Sequence, residues 1–183
     1  MPSPSAALLC LATFASPAQS PHMATTGAFT PSARSEARTT HAARKPSAHD
    51  ADVLLALMQV YFSDSIVKAR RLWRKELTPG MSLEDFEARF PRGSEGYEHF
   101  INLASFWETV GSLIQRGLVS EDLAFDTFLD APPWEKAEKI FKGRRERDKE
   151  PLEGVNFEWV TARAAEWVSR HERELQKKGA RAP

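Results

Sequence analysis

Apolar side chains recur at three- and four-residue intervals along most of the chain after about residue 50. The clearest run is a stripe of apolar, aromatic and small residues: Tyr97, Phe100, Ala104, Trp107, Gly111 and Ile114. This spacing places such residues on one face of an amphipathic α-helix. No segment alternates as a half-buried strand does, so the pattern predicts an all-α fold.

Capping residues, prolines and glycines divide this pattern into about five to six helices, which we expect to form a compact bundle. The first is predicted as one long helix that begins with Asp50 or Asp52 as its N-cap and ends near Leu77. The next four begin at Ser82, Ser94, Ser120 and Pro133. Asn156 is predicted to cap the last helix, which runs to about residue 178.

The first 49 residues have a different composition, dominated by Ala, Ser, Thr, Pro and Arg. We therefore predict a disordered low-complexity tail over 1–49, one helical domain over 50–178 and a disordered end over 179–183. The domain is rich in Leu, Phe and Trp, so it can bury a core without a metal or a disulfide.

A weak signal-like segment lies within this tail, over residues 5–18. Its apolar run AALLCLATFA precedes a small-residue cleavage pattern, but no Lys or Arg comes before it. The missing basic residue favours a cytoplasmic location over export. The run is shorter than the ~20 residues that span a bilayer, so no transmembrane helix is predicted. A signal peptide, a disordered extension and upstream codons before a start at Met23 remain alternatives.

Charge and cysteine content exclude several classes of protein. The formal net charge is +0, and the domain is mildly acidic because the tail holds Arg34, Arg38, Arg44 and Lys45 against Glu36. Nucleic-acid binding is therefore not expected. Cys10 is the only cysteine, which rules out disulfides within the chain and cysteine-based zinc sites.

A more distinctive run, HFINLASFWETVGSLIQRGLVSEDLAFDTFLD, extends from His99 to Asp130. It combines an aromatic-rich helix, a Val-Gly-x-Leu-Ile-x-Arg-Gly-Leu turn over 110–118 and an acidic-capped helix over 120–128. In these features the chain resembles the bacterial family of domains of unknown function numbered 4760, from about Val53 to His171. The resemblance implies a helical fold and supplies no activity, substrate or catalytic residue. Members often begin with a membrane-spanning or long leading helix, where this chain has its tail.

Motifs that carry catalysis or cofactor binding are missing from the sequence. The glycines lack the partners of a phosphate-binding loop, no serine lies in a nucleophile elbow, and the domain has no Cys–His pair. Glu95 and His99 come nearest to a metal-binding pair, and a local hydrogen bond between them is the simpler interpretation. We therefore predict no catalytic, cofactor-binding or metal-binding residue, no cofactor and no enzyme activity.

Glu108 follows Trp107 in a strongly apolar helix, so its carboxylate is expected to be drawn into the bundle. A buried ion pair with Arg116, Arg163 or another cation is the favoured interpretation. A catalytic carboxylate would need a second titratable group and a pocket.

Two basic clusters are present. They contain Lys68, Arg70, Arg71, Arg74 and Lys75, and Lys139, Lys142, Arg144, Arg145, Arg147 and Lys149. The second cluster is denser, but acidic residues interrupt it and few aromatic residues are interleaved. This favours a solvated helix end over a phosphate-binding patch and still permits binding to an acidic partner.

Trp134 follows a double proline at a helix start, and of the five tryptophans it is the one expected to be exposed. We therefore identify the possible partner-binding residues as Trp134, Arg144, Arg145 and Arg147. Together these features favour a non-enzymatic helical interaction module with an unknown protein partner. The alternatives are a small-ligand-binding or enzymatic bundle using polar residues near Glu108, and a membrane-associated or exported helical protein. The oligomeric state is left open.

Overall fold

The computed structural model describes residues 45–128 and 132–179. Within these ranges the chain forms no strand and seven α-helices: Ala48–Tyr61 (α1), Asp64–Glu76 (α2), Leu83–Arg89 (α3), Glu95–Gln115 (α4), Glu121–Thr127 (α5), Glu138–Asp148 (α6) and Val155–Gly179 (α7). A 3₁₀ turn, Trp134–Lys136, precedes α6. The predicted all-α fold is confirmed, with one helix more than expected. The predicted tail before residue 45, including segment 5–18, and the chain end after residue 179 lie outside the described residues.

The additional helix arises because the predicted first helix is two helices. The Ser63 hydroxyl donates to the Val60 carbonyl oxygen at 2.6 Å, and its oxygen accepts from the Ile66 amide as the N-cap of α2. A serine that bonds locally to the backbone competes with the regular helical ladder and starts a new helix instead. The prediction of one continuous helix to Leu77 is therefore wrong.

The start of α1 also differs from the prediction. Ser47 is the N-cap, and it forms a capping box with Asp50, whose side-chain oxygen lies 2.7 Å from the Ser47 amide nitrogen. Asp50 is thus the third helical residue, and neither it nor Asp52 is the N-cap. The box satisfies two backbone donors at once, which a single aspartate cap does not.

α4 is the central helix of the bundle, because it makes the most extensive contacts, with α2 and with α7. Two aromatic clusters surround it. In the first, Trp73 of α2 stacks on Phe100 with ring centroids 5.0 Å apart. In the second, the rings of Tyr61, Phe106, Trp107 and Phe128 contact one another. Both clusters are buried, so the stripe predicted on this helix does face the core.

The contact between α4 and α7 requires a glycine. A Cβ atom at Gly111 would lie only 2.3 Å from the carbonyl oxygen of Asn156. That neighbour is backbone at the start of α7, so it cannot turn aside as a flexible side chain would. The two helices therefore meet backbone to backbone at this position.

None of the described helices combines the length and the apolar character that a membrane-spanning helix requires.

Gly111→Ala provides a direct test of the close approach between the α4 and α7 backbones. Alanine at an open helical position stabilises a helix relative to glycine by up to ~1 kcal/mol. Here we expect the opposite sign, a loss of about 1–3 kcal/mol in the free energy of unfolding, because the new methyl group overpacks the α4–α7 contact. Urea denaturation measures the change, with Thr109→Ala on the exposed face of α4 as control. A stabilised Gly111→Ala variant would show that the helices do not meet this closely.

Candidate functional site

A cavity of about 280 Å³ lies between α2, α4 and the 3₁₀ turn. We call it the Trp73 cavity. Its lining residues are Tyr61, Arg70, Trp73, Arg74, Leu103, Trp107, Pro133 and Lys136. The volume is close to the lower end of the ~300–1,000 Å³ range of small-molecule pockets, so it suits a small ligand.

The apolar walls of the Trp73 cavity are held in place by the two aromatic clusters. Trp73 and Trp107 are each only 2% exposed. Trp73 stacks on Phe100, and Trp107 meets the Tyr61 ring edge to face at 6.3 Å. The packing behind them therefore fixes the positions of both tryptophans.

Cationic side chains line the same cavity. Arg70 and Arg74 are one helical turn apart on α2, with Trp73 between them in sequence. The Arg70 guanidinium lies 4.3 Å above the centre of the Tyr61 ring, a cation–π contact. Lys136 donates from Nζ to the Trp73 carbonyl oxygen at 2.9 Å, which holds its ammonium group beside α2. No carboxylate occurs among the described lining residues.

Trp73 also carries an unsatisfied donor. Its indole Nε1 is buried and has no hydrogen-bond partner among the described residues. A buried indole N–H usually has an acceptor, because leaving it unpaired costs the desolvation energy of the group. Because the atom is closed off from solvent, this cost falls on the folded state.

The structure contradicts the predicted exposure of Trp134. Its side chain is only 7% exposed, stacked on Phe141 at 5.6 Å and edge to face with Phe157 at 5.2 Å. The double proline places Trp134 in the 3₁₀ turn, and that turn lies against α6 and α7. The residue is therefore part of the core and cannot present its ring to a partner.

The three arginines of the predicted partner surface are paired within the molecule. Arg144 Nη2 lies 2.8 Å from Glu153, Arg145 Nη1 lies 2.8 Å from Glu158, and Arg147 Nη1 lies 2.7 Å from Glu87. Arg145 also donates to the Glu153 carbonyl oxygen. The second basic cluster is thus largely an internal ion-pair network, which differs from the solvated helix end that was expected.

The hydrogen bonds of Arg147 lower the pKa of its two acidic partners, Glu87 and Asp148. The hydrogen bond from Arg147 holds the pKa of Glu87 below its ordinary value, and nearby arginine charges lower it further. The pKa of Asp148 is lowered by its own hydrogen bond with Arg147. Both carboxylates are therefore ionised at neutral pH, which limits the positive potential that α6 presents to solvent.

Glu108 pairs with no arginine among the described residues and instead caps α7. Its carboxylate accepts from the Phe157 amide at 2.8 Å and from the Asn156 side-chain amide at 2.6 Å. Gly154, directly before α7, has a positive φ of 71° and no side chain that could serve as a cap. The predicted capping role of Asn156 is wrong, because it is the second residue of the helix and Glu108 supplies the acceptor from α4.

The histidine positions add no metal site. His99 Nε2 lies 3.3 Å from Glu95 Oε1, the local contact that the four-residue spacing predicts. His171 stacks on Trp167 at 3.8 Å. In the part of the chain that the structure describes, no group of three or more His, Cys, Asp or Glu side chains is placed to hold a metal ion.

The Trp73 cavity was missed by the sequence reasoning, although part of its signal is local. Arg70, Trp73 and Arg74 have the three- and four-residue spacing of one helix face, which places an aromatic ring among cations. Lys136 and Trp107 come from distant segments, and no local pattern brings them to α2. Two members of the first basic cluster, Arg70 and Arg74, therefore line the cavity.

The fold and the cavity define an all-helical domain with a small, cation-lined aromatic pocket. The chain belongs to the family described as Domain of unknown function (DUF4760), which matches residues 23–164. The match begins before the start near Val53 that the resemblance suggested, and it ends before His171. No curated protein and no solved structure matches the chain.

Replacing the α7 cap should weaken the fold locally. For Glu108→Ala we expect a loss of about 0.5–2 kcal/mol in the free energy of unfolding, the usual effect of deleting an N-cap side chain. Glu108→Gln keeps one acceptor oxygen and should lose less. Hydrogen exchange at the Asn156 and Phe157 amides should accelerate in Glu108→Ala and stay unchanged in Glu172→Ala, an exposed position late in α7. Unchanged exchange in Glu108→Ala would refute the capping role.

The Arg147 network predicts a pH effect of defined sign. The pKa of Glu87 is depressed in the folded state, so its stabilising contribution is present above the ordinary pKa and lost as the pH falls through the lowered value. In Arg147→Gln we expect the pKa of Glu87 to rise towards normal, as followed by NMR titration. The stability difference from wild type should vanish below the pKa of both carboxylates. Lys142→Gln, which removes an α6 charge paired with Glu138, is the control. A Glu87 pKa that does not move in Arg147→Gln would contradict the assignment.

Proposed function

We propose that this domain is a non-enzymatic binding module and that the Trp73 cavity is its binding site. The observation that carries the proposal is that one preformed cavity combines fixed aromatic walls with cationic side chains. Apolar walls with a few placed polar groups are typical of small-molecule sites. The binding function is thus assigned to the cavity. Structural roles are assigned to the residues that the sequence suggested for partner binding, Trp134, Arg144, Arg145 and Arg147.

Two features support binding over catalysis. The described lining of the cavity contains no histidine, cysteine or carboxylate, the groups that most often transfer protons or attack substrates. Glu108, the alternative centre, directs its carboxylate at the amides of α7 and at Asn156. A carboxylate engaged in this way is a cap with little freedom to act as a base.

The proposed binding site also differs from the surface that the sequence predicted for a protein partner. Trp134 is buried, and Arg144, Arg145 and Arg147 are engaged by carboxylates of the same chain. A partner at that surface would have to displace these ion pairs. The Trp73 cavity needs no such rearrangement, because its walls are already in position.

An NMR screen of the full-length chain tests the proposal. Small aromatic fragments of neutral, anionic and cationic type are added to protein labelled at Leu methyl and Trp indole positions. We expect at least one fragment to shift the Trp73 and Trp107 indole signals and to show NOEs to the Leu103 methyl groups. The fragment should be recovered chemically unchanged.

Variants at two leucines provide the matched control. Leu103→Phe fills the cavity and should abolish fragment binding, whereas Leu118→Phe at a leucine that is 42% exposed should leave it intact. Well-dispersed amide spectra verify that both variants are folded. The proposal fails if no fragment gives NOEs to Leu103 in wild type, or if the fragment that binds is converted to product.

A further inference from the structure

We infer that the Trp73 cavity takes a compact organic oxyanion: a flat apolar body lies against the aromatic walls, and the charged group meets Arg74 and Lys136. This inference rests on the proposed binding function and adds the chemical class of the ligand. It follows from two properties of the cavity, namely its charge and its size.

Two of the cations that line the cavity are not neutralised by a carboxylate among the described residues. The formal net charge of the chain is +0, and the arginines of α6 form ion pairs with Glu153, Glu158 and Glu87. Arg74 and Lys136 form no ion pair with any described carboxylate. An oxyanion is the complement to such cations, because charge-assisted hydrogen bonds are stronger than neutral ones.

The two cations lie at the same part of α2. Lys136 Nζ is 2.9 Å from the carbonyl oxygen of Trp73, the residue directly before Arg74. That bond uses one of the three ammonium donors, so further donors are available to a ligand. Arg70 is assigned to the wall, because its guanidinium lies over the Tyr61 ring.

The aromatic wall lies next to these cations. Lys136 is held by the carbonyl oxygen of Trp73, the residue whose ring stacks on Phe100. The site therefore favours a ligand whose oxygens and apolar body lie close together, as in a one-ring acid.

The volume limits the size of the ligand. About 280 Å³ accommodates a single ring with a short acidic arm. Carboxylates and phosphate esters share the oxyanion chemistry, so the experiment must distinguish the two sources.

The test compares three probes of similar size on the full-length chain: phenylacetate, phenyl phosphate and the neutral phenylacetamide. Dissociation constants are measured by calorimetry or by NMR titration, with the Trp73 indole signal as the site-specific readout. We expect at least one anion to bind about tenfold or more tightly than phenylacetamide, the difference that one hydrogen bond to a charged group supplies. A preference between the two anions identifies a carboxylate or a phosphate ligand.

A matched pair of double variants assigns the charge effect. Arg74→Gln with Lys136→Met should remove the preference for the anion. Arg71→Gln with Lys139→Met removes the same charge from exposed positions outside the cavity lining and should leave the preference unchanged. Phenylacetamide affinity close to that of wild type in both double variants shows that the cavity is intact.

The outcomes separate the two proposals. If phenylacetamide binds as tightly as the anions, or if the preference survives in Arg74→Gln with Lys136→Met, the oxyanion inference is wrong and the binding module stands. If none of the probes binds and the fragment screen gives no contact with Leu103, the proposed function is wrong as well. Loss of the preference in both double variants would show that it reflects long-range attraction between the anion and the overall positive charge of this region. That result would also overturn the assignment to Arg74 and Lys136.

Discussion

The backbone contact between α4 and α7 at Gly111 is the constraint on which the rest of the structure depends. It brings the α7 N-terminus close enough for Glu108 to accept from the Phe157 amide. Four N–H groups are left unsatisfied at the start of any helix, and Gly154 cannot cap them with a side chain. The interior of α4 therefore supplies both the space and the acceptor that α7 requires.

The position of α4 also creates the Trp73 cavity. Its aromatic residues fall into two clusters, one around Phe100 and one around Trp107, with Leu103 between them. α2 and the 3₁₀ turn form the other walls of this pocket, which is open to solvent beside Arg74 and Lys136. Pockets that combine apolar walls with a few polar groups are typical of small-molecule sites.

Sequence periodicity predicted the helical fold and the buried stripe of α4, because three- and four-residue spacing is a local property. The errors have non-local causes. Trp134 is buried because its 3₁₀ turn packs against α6 and α7, and Glu108 caps a helix almost fifty residues further along the chain. The cavity was only partly visible: Arg70, Trp73 and Arg74 share a helix face, but Lys136 reaches them through the tertiary fold.

A crystal structure of the protein with 4-bromophenylacetate is the decisive measurement of whether the Trp73 cavity binds a compact aromatic oxyanion. The anomalous signal of bromine locates the ring independently of the protein density. We expect bromine inside the cavity, with the carboxylate within hydrogen-bonding distance of Lys136 Nζ or the Arg74 guanidinium. An empty cavity at saturating ligand, or bromine only at other surface positions, would contradict this expectation.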